Sequence, residues 1–229
     1  MRPYVTNAPG CPGAFVTSGR RHPACLDGRM RWNHNIHYHP WALKNIPRGA
    51  MRALDVGCGE GMLARELRPR VPEVTGIDLH GDSIIQAREH GDDIEYVLGD
   101  VLTHPFASES FDLITTVATL HHMDSRAGIE RMRELLRPGG TLAIVGCASN
   151  SSSLELPAEL ASVAAHRFYS RGREIWEHPS PTVWPPDDSY RDIRRLTREL
   201  LPGRRYRRRL LWRYTVLWTK PPSPSVLTP

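Results

Sequence analysis

Between residues 50 and 148 the hydrophobic positions follow two periods in turn. Short apolar runs suited to buried strands occupy 52–56, 74–77, 95–98, 111–117 and 141–145. Apolar residues at helical spacing fall between these runs, at 62–67, 83–89 and 129–136. Strand and helix therefore alternate, which predicts an α/β fold whose parallel sheet is covered by helices on both faces.

After residue 150 the pattern changes. A helix is predicted over 156–168, followed by a proline-rich loop and an amphipathic helix over 188–201 with Ile193, Leu196 and Leu200 on one stripe. Two extended stretches follow, at 204–210 and 212–220, and the second alternates aromatic or apolar with polar positions. These two stretches predict a terminal hairpin over 204–220.

Residues 1–29 are rich in proline and glycine and show no apolar period, so we expect a disordered leader there and a short tail over 221–229. The chain has 229 residues, 40% of them hydrophobic, which suits a single globular domain. No apolar run approaches the roughly 20 residues that span a bilayer. The first residues also lack a secretory signal, so a cytoplasmic protein without a membrane partner is expected.

The net charge of +5 is unevenly distributed: between residues 191 and 213, ten arginines stand against Asp192 and Glu199. The run 204–209 is basic enough to suggest phosphate contacts. It coincides with a predicted terminal strand, however, and charge commonly protects an edge strand. A solvated edge is therefore favoured over a nucleic-acid surface.

Candidate chemistry begins with the segment 54–61, Leu-Asp-Val-Gly-Cys-Gly-Glu-Gly. A strand that ends in alternate glycines and runs into a helix allows the backbone to approach a ligand closely, because no Cβ intervenes. The spacing is G-x-G-x-G, whereas a dinucleotide site would have G-x-G-x-x-G. A glycine cluster without a ligand is the competing interpretation. The strand before it and the helix after it favour a ligand.

Two further segments follow predicted strands, Gly-Ile-Asp-Leu at 76–79 and Leu-Gly-Asp-Val at 98–101. With the glycine loop and Leu-Arg-Pro-Gly-Gly-Thr-Leu at 136–142, they give the chain a resemblance to the class I S-adenosylmethionine-dependent methyltransferases, in particular the small-molecule type. The resemblance covers about residues 50–148. It implies a Rossmann-like, mostly parallel seven-stranded sheet with an antiparallel C-terminal hairpin. It also implies S-adenosylmethionine as the cofactor.

The resemblance assigns the cofactor-binding residues by motif. The glycine loop is expected at the amino-acid part, an acidic residue at the ribose hydroxyls and a second acidic motif at adenine. The segment 111–123, which holds Thr116, is expected beside the sulfonium. An N-terminal lid is expected to fold over the cofactor. The residues concerned are Asp55, Gly57, Gly59, Gly61, Asp78, Leu79, Asp100, Val101, Thr116 and Tyr38.

Methyl transfer mainly requires alignment of the acceptor and exclusion of water, with a base only where the acceptor must lose a proton. His121 and His122 are the candidate catalytic residues, because histidine titrates near neutrality. The alternative, which is slightly favoured, is that they only shape the pocket or contact the cofactor. The spacing H-x-x-H-x-H at 34–39 could suggest a metal, but no cysteine or carboxylate joins it locally. A lid containing Tyr38 and His39 is preferred, then a surface helix, and no metal is expected.

The sequence thus predicts a lid at 30–48, a cofactor-binding core at 50–148, an acceptor-side insertion at 150–200 and the hairpin at 204–220. The expected activity is methyl transfer to an O, N, S or C atom of a small molecule. Two alternatives remain: a cofactor-binding subunit without activity, and an RNA or protein methyltransferase that uses the C-terminal arginines. The motif N/D-P-P-Y/F of enzymes that methylate nucleobase amines is absent. Oligomeric state is left open.

Overall fold

The strands and helices follow the predicted alternation closely. A computed structural model describes residues 25–26, 29–91, 93–151, 155–176 and 185–222. The strands are β1 Cys25–Leu26, β2 Arg29–Trp32, β3 Arg52–Val56, β4 Glu73–Asp78, β5 Glu95–Leu98, β6 Phe111–Val117, β7 Leu136–Gly146, β8 Glu174–Ile175, β9 Arg205–Arg208 and β10 Tyr214–Thr219. The helices are α1 His39–Lys44, α2 Met62–Leu67, α3 Gly81–Glu89, α4 Ser125–Leu135, α5 Leu156–Tyr169 and α6 Tyr190–Leu200, with 3-10 turns at Ile36–Tyr38 and Leu120–His122.

The central sheet has seven strands in the order β5-β4-β3-β6-β7-β10-β9. Strands β3 to β7 pair in parallel, whereas β10 is antiparallel to both β7 and β9. The predicted fold class, a mostly parallel seven-stranded sheet with an antiparallel hairpin, is confirmed. β9 lies at one edge of the sheet and presents Arg205 and Arg207 to solvent, as the solvated-edge interpretation of this basic run expects.

Two apolar clusters cover the two faces of the sheet. Residues of α4 and α6, among them Ile129 and Ile193, pack on one face, and residues of α1, α2 and α3 pack on the other. The predicted amphipathic helix is confirmed as α6, and its first turn is held by a capping box between Ser189 and Asp192. No helix in the described part of the chain combines the length and apolar character needed for a membrane span.

Two features differ from the predicted elements. β7 begins at Leu136 rather than Thr141, because Leu136 already pairs with Phe111 across a register shift that absorbs the Pro-Gly-Gly segment. A second, three-stranded sheet, β1-β2-β8, was not expected from the sequence. The predicted boundary between residues 29 and 30 falls inside its β1–β2 hairpin. Most of the predicted leader, and the tail from residue 223, lie outside the described residues.

Parallel strands carry their carboxyl ends to the same edge of a sheet, which is where ligands bind in open α/β folds. The chain segments that follow β3, β4, β5, β6 and β7 therefore meet at one edge. Because β10 is antiparallel to β7, its first residue, Tyr214, lies opposite Gly146 at that same edge. The loop before β10 is consequently added to the site.

Candidate active site

A cavity of about 950 Å³ opens at the carboxyl edge of the sheet. Its volume lies at the upper end of the roughly 300–1,000 Å³ usual for ligand sites. The walls come from the segments after β3, β4, β5 and β6, from the end of β7, from residues before α1, and from the loop before β10. Since the sheet order separates β5 from β10 by four strands, the cavity has two distinct ends.

The glycine loop forms part of the end near β3. Gly57 and Gly59 line the cavity with φ of +70° and +54°, in the left-handed region that favours glycine. A Cβ at Gly57 would collide with the side chain of Thr119. Gly61 is not among the lining residues; it precedes α2 with φ of +77°, and a Cβ there would meet Tyr96. Two of the three glycines thus face the cavity, and the third shapes the turn.

The acidic residues after β4 and β5 also line the cavity. The carboxylate of Asp78 accepts hydrogen bonds from Gly59 N and His80 N, both at 2.8 Å, and so ties the β4 end to the glycine loop. Asp100 accepts from Leu102 N at 2.9 Å. A carboxylate can accept about four hydrogen bonds, so both keep capacity for ligand hydroxyl or amino groups.

Apolar surface accompanies these acceptors. Leu79, whose side chain is 67% exposed, and Val101 lie on the cavity wall next to Asp78 and Asp100. Paired acceptors, apolar faces and an open backbone loop suit the hydroxyls, the base and the amino-acid part of an adenosine-type ligand. The residues present therefore fit S-adenosylmethionine.

Besides Gly61, three predicted cofactor residues are not brought to the cavity wall. Asp55 is buried in β3, where it accepts a hydrogen bond from Thr115 Oγ1 at 2.9 Å, and burial raises its pKa to about 7. Thr116 is buried within β6. Tyr38 is buried, donates its hydroxyl to Leu210 O in the loop before β10 at 2.8 Å, and is not among the residues that line the cavity.

The two candidate catalytic histidines lie in the 3-10 turn after β6, and both line the cavity. Burial, together with the nearby charges of His122 and Arg213, lowers the pKa of His121 to about 4. Burial also lowers the pKa of His122, against an opposing effect of Asp78. The Nδ1 atom of His121 is buried and has no hydrogen-bond partner among the described residues. A neutral imidazole with an unsatisfied nitrogen thus borders the cavity.

The far end of the cavity is formed by residues that were not among the predicted site residues, although the first two belong to the predicted lid: His34, Asn35, Cys147, Trp212 and Arg213. Trp212 Nε1 donates to Glu159 of α5 at 2.7 Å, and the rings of His34 and His166 are joined at 2.9 Å. Helix α5 therefore supports this wall from behind. No described residue of the predicted acceptor-side insertion, 150–200, lines the cavity itself.

Local backbone geometry explains why the sequence did not reveal this wall. Leu211 and Trp212 have φ of +57° and +55°, and Ala118, at the end of β6, has +54°. Such φ values are rare for residues other than glycine. Because no glycine stands at these positions, the sequence gives no indication of the turn. Residues held in this region concentrate at functional sites. The loop before β10 was predicted only as the start of a strand.

In the predicted lid, His34 and Asn35 reach the cavity, whereas His39 packs against Glu66 at 3.2 Å. The H-x-x-H-x-H segment does not form a metal site within the described part of the chain, where no group of three or more histidine, cysteine or acidic side chains could hold an ion. The geometry as a whole defines an α/β enzyme site for an adenosine-type cofactor with a second binding region beside it.

Comparison with known proteins agrees with this class. Residues 54–144 match the family model described as a methyltransferase domain. An uncharacterized methyltransferase of Mycobacterium tuberculosis is 37% identical over 193 residues, covering 83% of this chain and 98% of the relative. The malonyl-acyl-carrier-protein O-methyltransferase of Enterobacter lignolyticus is 36% identical over 101 residues, 44% of this chain and 40% of the relative.

Among solved structures, an S-adenosylmethionine-dependent methyltransferase from Aquifex aeolicus has a similar fold, with a TM-score of 0.55 at 17% identity over 79% of this chain and 88% of that one. The chain belongs to the class I S-adenosylmethionine-dependent methyltransferases. It is an enzyme, and its cofactor is S-adenosylmethionine.

Proposed function

We propose that this enzyme methylates a small molecule, at an O, N, S or C atom, in the region of the cavity beside His121. The observation that carries the proposal is the continuity of the cavity. A single space of about 950 Å³ joins the wall of Gly57 and Asp78 to the wall of Trp212 and Arg213. Such a space accommodates a cofactor at one end and a compact acceptor at the other.

The cofactor's position follows from the donors and acceptors at the first end. Asp78 would hold the ribose hydroxyls and Asp100 the adenine amino group, with Leu79 and Val101 against the base. Gly57 and Gly59 would leave room for the amino-acid part. Asp55 and Gly61 act through the loop that they support. Tyr38 and Thr116 are assigned no direct contact, because both are buried behind the wall.

When bound, the cofactor supplies a methyl group already activated by a positively charged sulfur. The enzyme's own residues must then align the acceptor and keep water out. Where the acceptor must lose a proton, we assign its removal to an imidazole of the turn after β6, His121 or His122, both of which line the cavity, while the new bond to the methyl carbon forms. His122, on the same turn, contributes to the wall on the cofactor side, facing the charge of Asp78.

Neither alternative function is favoured. An RNA or protein methyltransferase would be expected to line its entrance with arginines. Among the described residues, Arg213 is the arginine on the cavity wall, whereas Arg205 and Arg207 lie on the edge strand β9. A subunit without activity would lack an acceptor region, yet the cavity extends well past the cofactor end. Cytoplasmic location and the domain boundaries stay predictions.

The test is a fractionation assay that measures formation of S-adenosylhomocysteine. Purified enzyme is incubated with S-adenosylmethionine and, separately, with the small-molecule, RNA and protein fractions of a cell extract. We expect product only with the small-molecule fraction, and roughly 10²–10⁴-fold less with His121→Gln if that residue acts as a base. Turnover only with RNA or protein would contradict the proposal, and Arg205→Gln serves as a distant control.

A further inference from the structure

Arg213 is a buried cation on the cavity wall, only 9% exposed. Its guanidinium donates to three neutral oxygens: Leu211 O at 3.3 Å, Trp212 O at 3.4 Å and Asn35 Oδ1 at 2.7 Å. Its Nε is buried without a hydrogen-bond partner, and no carboxylate among the described residues forms an ion pair with it. Burying an unpaired charge is costly, so buried cations are normally paired.

A second arginine shows the usual solution in the same molecule. Arg31 is similarly withdrawn from solvent, and its guanidinium is paired with Glu60 at 2.8 Å. The carboxylates on the cavity wall do not serve Arg213 in this way. Asp78, Asp100 and Asp124 each accept a backbone N–H group of their own loop, and Asp78 also accepts that of Gly59. The charge of Arg213 is therefore not balanced from within the cavity wall.

The neighbouring imidazoles add no second charge to this end of the cavity. Burial and the charge of Arg213 together lower the pKa of His34 to about 4, and both causes also act on His121. Both rings are therefore neutral near pH 7. One full positive charge, at Arg213, dominates the end of the cavity where the acceptor would bind.

We propose that the methyl acceptor carries a carboxylate group and that Arg213 binds it. The inference rests on the proposed function, since it concerns the acceptor region of that site. The planar guanidinium matches a carboxylate in shape and can bind it through two parallel hydrogen bonds. A bound carboxylate would accept a hydrogen bond from the guanidinium of Arg213, either in place of the amide oxygen of Asn35 or together with it. The rest of the molecule would lie along the ring of Trp212, which borders the same space.

The charge balance selects a carboxylate rather than a phosphate ester. A phosphate carries about −1.5 to −2 charges at neutral pH, whereas a carboxylate carries one. In the complex with S-adenosylhomocysteine, whose sulfur is neutral, Arg213 is the cation that the described residues supply at this end; it neutralises a carboxylate fully and would leave a phosphate with excess buried charge. The neutral histidines offer no further compensation.

The test uses the full-length enzyme saturated with S-adenosylhomocysteine. Calorimetry measures the binding of phenylacetate and octanoate, each compared with its amide, and of phenyl phosphate. We expect wild type to bind each carboxylate more tightly than its amide and more tightly than phenyl phosphate. The variant Arg213→Gln should lose about 10–100-fold in carboxylate affinity, as expected for hydrogen bonds to a charged group, with amide binding unchanged. Arg213→Lys should retain part of the preference.

Two cofactor fragments separate this role from the alternatives. Arg213→Gln should bind S-adenosylhomocysteine and 5′-methylthioadenosine, which lacks the amino-acid carboxylate, as wild type does; this also shows that the variant is folded. Loss of affinity for the first ligand alone would assign Arg213 to the cofactor and overturn the inference. An equal affinity of wild type for carboxylates and amides, or a preference for phenyl phosphate, would overturn it too, whether or not the variants fold. If wild type fails to bind S-adenosylhomocysteine, the proposed function itself fails.

Discussion

The two ends of the cavity are built in different ways. At the cofactor end, Gly57, Asp78 and Asp100 each lie at or just after the end of their own strand, within one short segment, 57–100. At the acceptor end, Asn35, Cys147 and Arg213 come from three distant parts of the chain. The cofactor end therefore depends on local strand–turn–helix rules, whereas the acceptor end depends on how remote segments pack. Substitutions can therefore change the acceptor end of the cavity while the cofactor end stays intact.

The largest effect is expected at the cofactor end, from Asp78→Ala. The change removes the acceptor for Gly59 N and His80 N and, in our proposal, for the ribose hydroxyls. Hydrogen bonds to a charged group contribute about 1.5–3 kcal/mol each, so affinity for S-adenosylhomocysteine should fall by roughly 10²–10⁴-fold in calorimetry. Asp82→Ala, an exposed aspartate on the first turn of α3, is the control and should bind normally. Unchanged affinity in Asp78→Ala would remove it from the site.

The next largest effect is the loss of folding stability when a side chain is introduced into the glycine loop. Gly57→Ala and Gly49→Ala both place alanine at a φ near +70°, a conformation that costs about 1–2 kcal/mol. Gly49 has open space around it, whereas a Cβ at Gly57 would also collide with Thr119. Denaturant unfolding should therefore show a loss about 1–3 kcal/mol greater for Gly57→Ala. Gly57→Ala should also weaken cofactor binding, whereas Gly49→Ala should not. Equal losses of stability in the two variants would mean that the structure relieves the collision with Thr119.

The two ends should respond to pH with opposite signs. The pKa of His121 falls from 6.5 to about 4 on folding, so its contribution to stability is present above pH 6.5 and is lost as the pH falls towards 4. The pKa of Asp55 rises from 3.8 to about 7, so its contribution is present below pH 3.8 and is lost as the pH rises through 7.

Variants of these residues check that sign. We compare the free energy of unfolding of each variant with that of wild type. The difference should favour His121→Gln more at pH 5 than at pH 8, and should favour Asp55→Asn more at pH 8 than at pH 5. Urea unfolding at the two pH values measures both differences, and each variant serves as the control for the other. Shifts of the same sign in both would contradict the opposed environments of the two residues.

The smallest effect is expected outside the cavity, on the edge strand β9. Arg205 and Arg207 are exposed there, so the double change to alanine should alter the free energy of unfolding by no more than about 0.5 kcal/mol and leave turnover unchanged. Arg208, on the same strand, lies over the ring of Tyr190 and pairs with Glu159 at 3.4 Å. Arg208→Ala should therefore cost more. A fall in turnover in the double variant would revive a role for this basic run in binding the acceptor.

The sequence predicted the cofactor end because each of its residues sits at a fixed offset from a strand. The family resemblance assigned Gly57, Asp78 and Asp100 to the cofactor by motif, and the strand pattern agrees, since parallel strands end at one edge. Tyr38 was placed wrongly relative to the cavity, because the direction of a short 3-10 turn cannot be read from composition; His34 and Asn35 face inward instead.

The acceptor end escaped prediction for a different reason. Leu211 and Trp212 adopt positive φ without a glycine, and the antiparallel insertion of β10 next to β7 brings Arg213 to the site. Neither feature can be recognised from the local sequence. The small sheet β1-β2-β8 was missed as well, since the two-residue strands β1 and β8 are too short to show an alternating pattern. Tertiary packing determines the positive φ values, the position of β10 and the small sheet.

The position of β10 has a consequence for synthesis on the ribosome. Proteins are made from the amino terminus, and early segments can begin to fold before late ones emerge. The segments of the cofactor end are complete by residue 101, yet β9 must await β10, which supplies its ladder partner in the seven-stranded sheet. Until then β7 presents an unpaired edge, the kind of surface that recruits other chains. A nonsense mutation just before Tyr214 would therefore remove more than the six residues of β10: it would expose β7, leave β9 unpaired and yield an aggregation-prone fragment.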